Sequence, residues 1–285
     1  MHTAWQNLIE DTLGKITQLL PLSGGDTSRI YQLEVANTML VAKTNTATST
    51  PDLLKVEQLG LTALANYDAL AVPSILLYES REQGELLVIQ HIPTGNKSAA
   101  ALRQFGQQLA QLHQNSTTHA GWDYDNYIGK LYQSNQQHAA WYKFYAQERL
   151  LPQIQLAIEA GLLNGKEVPT SGRLEQVCFD LLGTPTISPL HGDLWSGNYI
   201  IDKTGQAYLI DPSFHYGHSE VDLAMSKLFG GFGPNFYEAY HEVLPLEAGA
   251  EARQDLYQLY YLLVHLNMFG RSYLGSVRQI LNRYF

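Results

Sequence analysis

The chain has 285 residues, a formal net charge of −9 and an apolar share of 45%. That length supports one large or two modest domains with a packed core, and no apolar run reaches the length that spans a bilayer. The acidic balance offers no basic field to nucleic acid or to an anionic membrane, so neither is expected as a partner. Met1-His2-Thr3-Ala4-Trp5-Gln6-Asn7 lacks the basic and apolar regions of a secretory signal. The single cysteine, Cys178, excludes an internal disulfide framework and fits a reducing cytoplasm. Set in Val177-Cys178-Phe179, it reads as a small buried hydrophobe rather than a redox centre.

In chain order, Ser23-Gly24-Gly25-Asp26-Thr27-Ser28 precedes the first strand and is the one place for a loop over phosphates. Its small residues could offer backbone N–H groups, and a plain turn is the alternative reading. Ile30–Val35 and Met39–Lys43 alternate around Ala36-Asn37-Thr38 and predict a hairpin. After Pro51 the spacing of Leu53, Leu54, Glu57, Leu61 and Leu64 predicts a helix. Ser74–Tyr78 and Glu85–Gln90 predict two more strands around Arg81-Glu82-Gln83-Gly84. Ile92-Pro93-Thr94-Gly95-Asn96 reads as a linker, because proline and glycine coincide where the strand pattern ends. Beyond it the chain is mainly helical, with helices expected around Leu102–Leu112, Trp141–Ile158 and the strongly apolar Leu256–Phe269. Within that half, Tyr199-Ile200-Ile201 and Ala207-Tyr208-Leu209-Ile210 flank a polar turn. Such a hairpin brings Asn198 and Asp211 to the same end of two strands.

The chemistry concentrates in His191-Gly192-Asp193-Leu194-Trp195-Ser196-Gly197-Asn198 and in Ile210-Asp211-Pro212. Asp193 and Asn198 have the D-x-x-x-x-N spacing of a kinase catalytic loop, and Asp211 follows where a second metal-binding aspartate belongs. Phosphoryl transfer to a hydroxyl needs a base for the proton and hard oxygen ligands for Mg²⁺ on ATP phosphates. Asp193 fits the base, and Asn198 and Asp211 fit the ligands; turn residues capping a hairpin are the plainer alternative. Lys43 ends Leu40-Val41-Ala42-Lys43, like a strand lysine that holds the α- and β-phosphates. An inward lysine needs a partner, and Glu57 is preferred over Asp52 and Glu10. Ile89-Gln90-His91 should meet the adenine edge through backbone groups. His191 and His113 read as structural braces, and Asp222 as a buried support for the catalytic loop's backbone. The ten histidines show no zinc spacing.

These segments, together with Gly217–Met225, Phe229-Gly230-Gly231-Phe232, Gly121–Gly129 and Leu263–Gly270, resemble the fructosamine kinase/ketosamine kinase family over essentially the whole chain. The resemblance implies an α+β, two-lobed protein-kinase-like fold of the aminoglycoside phosphotransferase type. Residues 1–92 would form the nucleotide-binding lobe, and residues 93–285 the lobe with the catalytic loop, metal ligands and substrate pocket. It implies ATP-dependent phosphorylation, with Mg²⁺, of the 3-hydroxyl of a free or protein-bound ketosamine, after which the product decomposes to the free amine. Carried over, Asp193 is the base, Asn198 and Asp211 bind the metal, and Lys43 and Glu57 serve the nucleotide along with Gly25, Ile89, Gln90 and His91. Trp195, which generic phosphoryl transfer does not require, becomes a stacking wall for the sugar amine. Gln90 departs from the usual hinge glutamate, and Lys130-Leu131-Tyr132 from a more polar stretch; both bear on fine specificity. Two other functions compete: a kinase of the same fold acting on an aminoglycoside, choline or sugar, and a nucleotide-binding pseudoenzyme. The latter predicts loss of one of Lys43, Asp193, Asn198 or Asp211, and all are present. The oligomeric state stays open.

Overall fold

The structure is a computed structural model and describes residues 1–22, 28–46 and 50–285. Helix α1, Thr3–Leu13, starts at His2, whose side chain accepts a hydrogen bond from Ala4 N. It is followed by strands β1 Ile16–Leu22, β2 Arg29–Val35 and β3 Thr38–Thr44, helix α2 Leu53–Ala65, and strands β4 Ile75–Arg81 and β5 Gly84–Gln90. The strands form one antiparallel sheet in the order β1-β2-β3-β5-β4. Strand β5 is apolar at successive positions because both of its faces are covered. Leu86 and Val88 pack with Trp5 and Ile9 of α1, while Leu87 and Ile89 pack with Leu54 and Leu61 of α2. The two hairpins and α2 match the sequence reading. The sequence reading did not pick out α1 and β1. β1 is an edge strand containing Pro21, with Leu20 and Leu22 exposed, so its burial leaves little periodic trace.

Residues 91–98 carry no helix or named strand and lead into α3, Ala99–Gln114, capped by Ser98 Oγ, which accepts from Ala101 N at 3.2 Å. A small hairpin, β6 Asn126–Ile128 and β7 Leu131–Gln133, precedes α4 Trp141–Phe144 and α5 Leu151–Glu159. Between α4 and α5, Tyr145–Leu150 widens to π spacing just before Pro152, which cannot donate to the helical ladder. The expected single helix over Trp141–Ile158 is therefore continuous in direction but not in hydrogen bonding. Next come α6 Ser171–Leu182, β8 Ile187–Leu190, the hairpin β9 Tyr199–Ile201 and β10 Ala207–Leu209, and β11 His215–His218, which pairs with β8. Helices α7 Glu220–Leu228, α8 Pro234–Val243, α9 Ala250–Phe269 and α10 Leu274–Tyr284 complete the chain.

Two apolar clusters hold this half. One gathers around α9, which contributes Leu256, Tyr257, Leu259, Tyr260, Tyr261, Leu263 and others. The second joins α3 and α8 to the β9–β10 hairpin through Phe105, Tyr199, Phe232 and Phe236. Helices α3 and α8 meet so closely that a Cβ on Gly106 would lie 2.2 Å from the Phe236 carbonyl oxygen. Among the described residues no helix is long and apolar enough to cross a membrane.

Two histidines at the centre of this half are buried without a carboxylate bonded to them. His215 Nδ1 bonds the Ser213 carbonyl at 3.0 Å, and His218 Nδ1 pairs with the Tyr257 hydroxyl at 2.8 Å. Burial, aided by the nearby cations Arg149 and Arg253 respectively, pushes both down to about 3. The unfolded chain then binds protons that the folded chain refuses, so stability is full above the ordinary histidine value and falls as pH drops below it. Lowering the pH from 7 to 5 should therefore cost about 2 kcal/mol for each histidine. Urea denaturation at the two pH values reads this. In His218→Gln the difference between the two pH values should shift by about 2 kcal/mol toward less loss at pH 5, and an unchanged difference would contradict the assignment.

Candidate active site

The catalytic segment runs from the end of β8 to the start of β9, and its shape is dictated by backbone contacts. Gly192 has φ +82°, and a Cβ there would lie 2.1 Å from the Ser213 carbonyl oxygen. Only glycine fits both constraints. The same approach allows Ser213 N to donate to the His191 carbonyl at 2.9 Å, tying the catalytic segment to the Asp211 segment. Asp222 on α7, fully buried, accepts from His191 N at 2.8 Å and from Gly192 N at 2.9 Å. Its other neighbour is His113 of α3, Nε2 at 3.3 Å, while His113 Nδ1 pairs with the Tyr240 hydroxyl at 2.8 Å. Burial raises the Asp222 carboxyl, but the His113 bond and the Gly192 N–H outweigh it and hold the group below the usual carboxylate range. Tyr261 on α9 closes the loop from the other side by donating to the Gly192 carbonyl at 2.7 Å.

His191 is a brace, as its sequence context suggested. Burial pulls its ring below the ordinary histidine value, its Nε2 bonds the Ile210 carbonyl at 2.8 Å, and its Nδ1 accepts from Asp193 N at 3.2 Å. Those two bonds assign the tautomer, with the proton on Nε2. Asn198 donates both amide hydrogens to Asp193, one to its carbonyl at 2.8 Å and one to Oδ2 at 3.0 Å. This leaves Asn198 Oδ1 and Asp193 Oδ1 as the atoms available to a cation and a hydroxyl. Ile210 N donates to the Asn198 carbonyl at 3.1 Å, so the β9–β10 hairpin does place Asn198 beside Asp211. Asp211 itself has φ +54°, a conformation that a non-glycine residue adopts at a cost and that is characteristic of functional sites.

On the facing side, Lys43 of β3 is buried and its Nζ lies 2.6 Å from Glu57 Oε1 on α2; it also donates to Asp211. Glu57 is thus the partner; Glu10 instead accepts from Ile16 N, and Asp52 stands near Lys55 on the surface. Burial pulls the Lys43 ammonium down, but the charges of Asp211 and Glu57 override it and hold it above the ordinary lysine value. Burial also raises Glu57, against the opposing charge of Lys43 and with the help of Asp211. Asp193 is pushed up to about 7, first by burial, against its Asn198 bond, with Asp211 and Asp222 adding to the rise. Lys43 pairs with two carboxylates, Glu57 and Asp211, and Asp193 lines the same cleft, so carboxylates outnumber lysine among its described lining residues.

These groups line a cleft of about 400 Å³ that includes Lys43, Glu57, Asp193, Asn198 and Asp211, with Trp195 at its rim. A second cavity of about 480 Å³ opens on the other side of Asp193, walled by Trp195, Phe229, His265, Met268, Phe269 and Tyr273. Asp193, Trp195, Gly129 and Met268 border both. The Trp195 indole folds over Gly197, where a Cβ would lie 2.5 Å from the ring, which explains the Trp-Ser-Gly spacing. Among the described residues no three His, Cys, Asp or Glu side chains converge into a protein-only metal cage.

The other nucleotide residues read from the sequence are placed differently. Gly25 lies outside the described residues. Ile89, Gln90 and His91 do not line the cleft; Gln90 N is spent on the Ser74 carbonyl at 2.9 Å, and His91 Nε2 pairs with Gln32 at 3.1 Å. That donor of Gln90 is therefore not free for an adenine edge. The sequence tied the β6–β7 hairpin to fine specificity only through Lys130-Leu131-Tyr132; the hairpin contributes Asn126, Tyr127 and Gly129 to the cleft. Asn126 Nδ2 donates to the Phe214 carbonyl at 2.8 Å and Ser213 Oγ to the Tyr127 carbonyl at 2.7 Å, so the hairpin is bonded to the strand leaving Asp211. Its Gly-Trp-Asp-Tyr-Asp-Asn run was visible in the sequence, without the contact that gives it meaning.

The family model for fructosamine kinase matches residues 1–285. The chain belongs to the fructosamine kinase family. Among relatives, the protein named probable ketoamine kinase from Enterococcus faecium is 35% identical over 269 residues, covering 94% of this chain and 95% of that one. The chloroplastic protein-ribulosamine 3-kinase of Arabidopsis thaliana is 34% identical, covering 97% of this chain and 85% of that one. A solved chain from Haemophilus somnus, provisionally named a fructosamine-3-kinase, superposes with a TM-score of 0.89 at 27% identity, covering 99% of this chain and 96% of that one. An aminoglycoside phosphotransferase superposes with a TM-score of 0.63 at 14% identity, which shows the shared kinase-like fold. This fructosamine kinase family member is a phosphotransferase acting on a hydroxyl group. Its catalytic loop depends on Asp222, so Asp222→Asn, which cannot accept both N–H bonds, should lower kcat about a hundredfold or more while KM for nucleotide changes little. Steady-state kinetics on the folded variant check this; a kcat within threefold of wild type would contradict it.

Proposed function

We propose that the protein is an ATP-dependent ketosamine 3-kinase in which the 400 Å³ cleft takes the nucleotide and the aromatic cavity takes the sugar amine. The observation that carries this reading is the place of Asp193, the one carboxylate among the described residues that borders both spaces. Residues 1–92 act as the nucleotide lobe and 93–285 as the catalytic lobe. Lys43, held by Glu57, meets the α- and β-phosphates. Asn198 Oδ1 and the Asp211 carboxylate would hold Mg²⁺, an ion that suits hard oxygen donors. When bound, the ion neutralises charge on the transferring phosphoryl group. The excess of carboxylate over lysine in the cluster favours such a cation.

The acceptor hydroxyl lies against Asp193 Oδ1, since Oδ2 is already engaged by Asn198. As the acceptor oxygen bonds to the γ-phosphorus and the bond to the bridging oxygen breaks, Asp193 receives the hydroxyl proton and ADP leaves. Trp195, 38% exposed, walls the acceptor space with Phe229 and Tyr273, a setting suited to a sugar face and a protonated secondary amine. That relatives are named ketoamine kinase and protein-ribulosamine 3-kinase supports ketosamines as the acceptor, free or on protein. The adenine contacts assigned to Ile89, Gln90 and His91 remain part of the same proposal; these residues stand outside the 400 Å³ cleft, and Gln90 N is already bonded to Ser74.

Purified protein with Mg·ATP should add one phosphate to ribulosamine, erythrulosamine or fructosamine adducts of lysine, read by mass spectrometry. Asp193→Asn should lower turnover by about 10²–10⁴ while Mg·ATP still binds. No phosphorylation across the three adducts, or a near-normal rate in the variant, would contradict the reading.

A further inference from the structure

Helix α2 carries Glu57, yet its own N-terminus is poorly finished. Asp52 at the cap position has φ +53° and makes no side-chain capping bond. The cap comes from elsewhere. Glu85 of β5, only 4% exposed, accepts from Leu54 N at 3.2 Å through Oε2 and from Lys55 N at 3.1 Å through Oε1. Three further bonds fix Glu85. Tyr78 Oη donates to Oε1 at 2.9 Å, Asn45 Nδ2 donates to Oε2, and Glu85 N donates to Asn45 Oδ1 at 2.7 Å. Gly84 before it has φ +131°, and a Cβ there would lie 2.4 Å from the Asn45 carbonyl, so the turn is pressed onto the end of β3.

A negative carboxylate at two free N–H groups is the favoured partner of a helix N-terminus. Here it also sets where the helix sits. Leu54 and Lys55 lie within one turn of Glu57, and β3 carries Lys43 just two residues before Asn45. The sheet and helix are therefore clamped reciprocally: the sheet's Lys43 reaches the helix's Glu57, and the helix's N–H groups reach the sheet's Glu85. Glu85 does not line the nucleotide cleft.

We propose that Glu85 is a positioning residue for nucleotide binding, holding α2 at the place and rotation where Glu57 meets Lys43. This rests on the reading of Lys43 and Glu57 as the nucleotide pair, and the test separates the two. Mg·ATP affinity of the full chain is measured by calorimetry for wild type, Glu85→Gln, Glu57→Gln and the double variant, with thermal melts to confirm folding. Glu57→Gln should weaken Mg·ATP about tenfold. Glu85→Gln should weaken it about fivefold, the size of a lost helix cap, with the acceptor KM unchanged. In the double variant, Glu85→Gln should add less than about twofold to the loss from Glu57→Gln, because both act through one pair. Glu85→Asp, which keeps the charge but is one methylene shorter, should lose about twofold and serves if Glu85→Gln does not fold. Loss in Glu57→Gln with wild-type affinity in Glu85→Gln, full additivity in the double variant, or equal effects on both substrates overturns the positioning role alone. Unchanged affinity in Glu57→Gln overturns the pair itself and the positioning role with it.

Discussion

The catalytic loop is held by one buried carboxylate. Asp222 takes the N–H groups of His191 and Gly192, and Asp193, Trp195 and Asn198 follow those two residues in the same loop. A carboxylate buried without compensation would be neutral or would unfold its surroundings. Here two backbone donors and His113 compensate it, and the loop's backbone gains partners it could not find in a dry interior. Because Asp222 lies on α7, His113 on α3 and Tyr261 on α9, three helices must be in place before Asp193 is aimed. The mainly helical half is thus a frame for one short loop.

The facing half does the corresponding work for charge. Lys43 joins the sheet, helix α2 and the Asp211 segment in one cluster, with Asp211 in a strained backbone conformation that sends its carboxylate into the cleft. Among the described residues lining the cleft one lysine stands with three carboxylates, an arrangement that stability alone does not favour. In the proposed reading, a divalent cation held by Asn198 and Asp211 would offset part of that carboxylate charge. Burial is the main reason the Glu57 and Asp193 carboxyls are raised, and the neighbouring Asp211 charge adds to it.

Much of this was legible in the sequence, for physical reasons that differ by element. The β2–β3 and β4–β5 hairpins and α2 follow from periodicities of two and three-to-four residues, which sheet and helix burial impose directly. Asp193, Asn198 and Asp211 were legible because phosphoryl transfer fixes residue type and spacing together. Asp222 was read as a buried support for the loop's backbone, and its bonds to His191 N and Gly192 N give it that place. What escaped was set by contacts distant in sequence. Glu85 looks like an ordinary strand-end residue until β5 is laid beside α2. Phe229, His265, Phe269 and Tyr273 lie far apart along the chain, and only the packing of α7 and α9 gathers them beside Trp195. The hinge reading failed at Gln90 N for the same reason: its bond to Ser74 belongs to the sheet, and sequence spacing does not reveal it.

The central claim is that Asp193 aims one hydroxyl of a sugar amine, bound in the aromatic cavity, at a nucleotide bound in the charged cleft. Phosphorus–proton correlation NMR of the product from a ribulosamine tests this most directly, because it reads which oxygen was chosen. Coupling of the phosphorus to the proton on C3 alone is the predicted result. Phosphate spread over several hydroxyls, or carried on another carbon, would contradict the geometry described for Asp193 and Trp195.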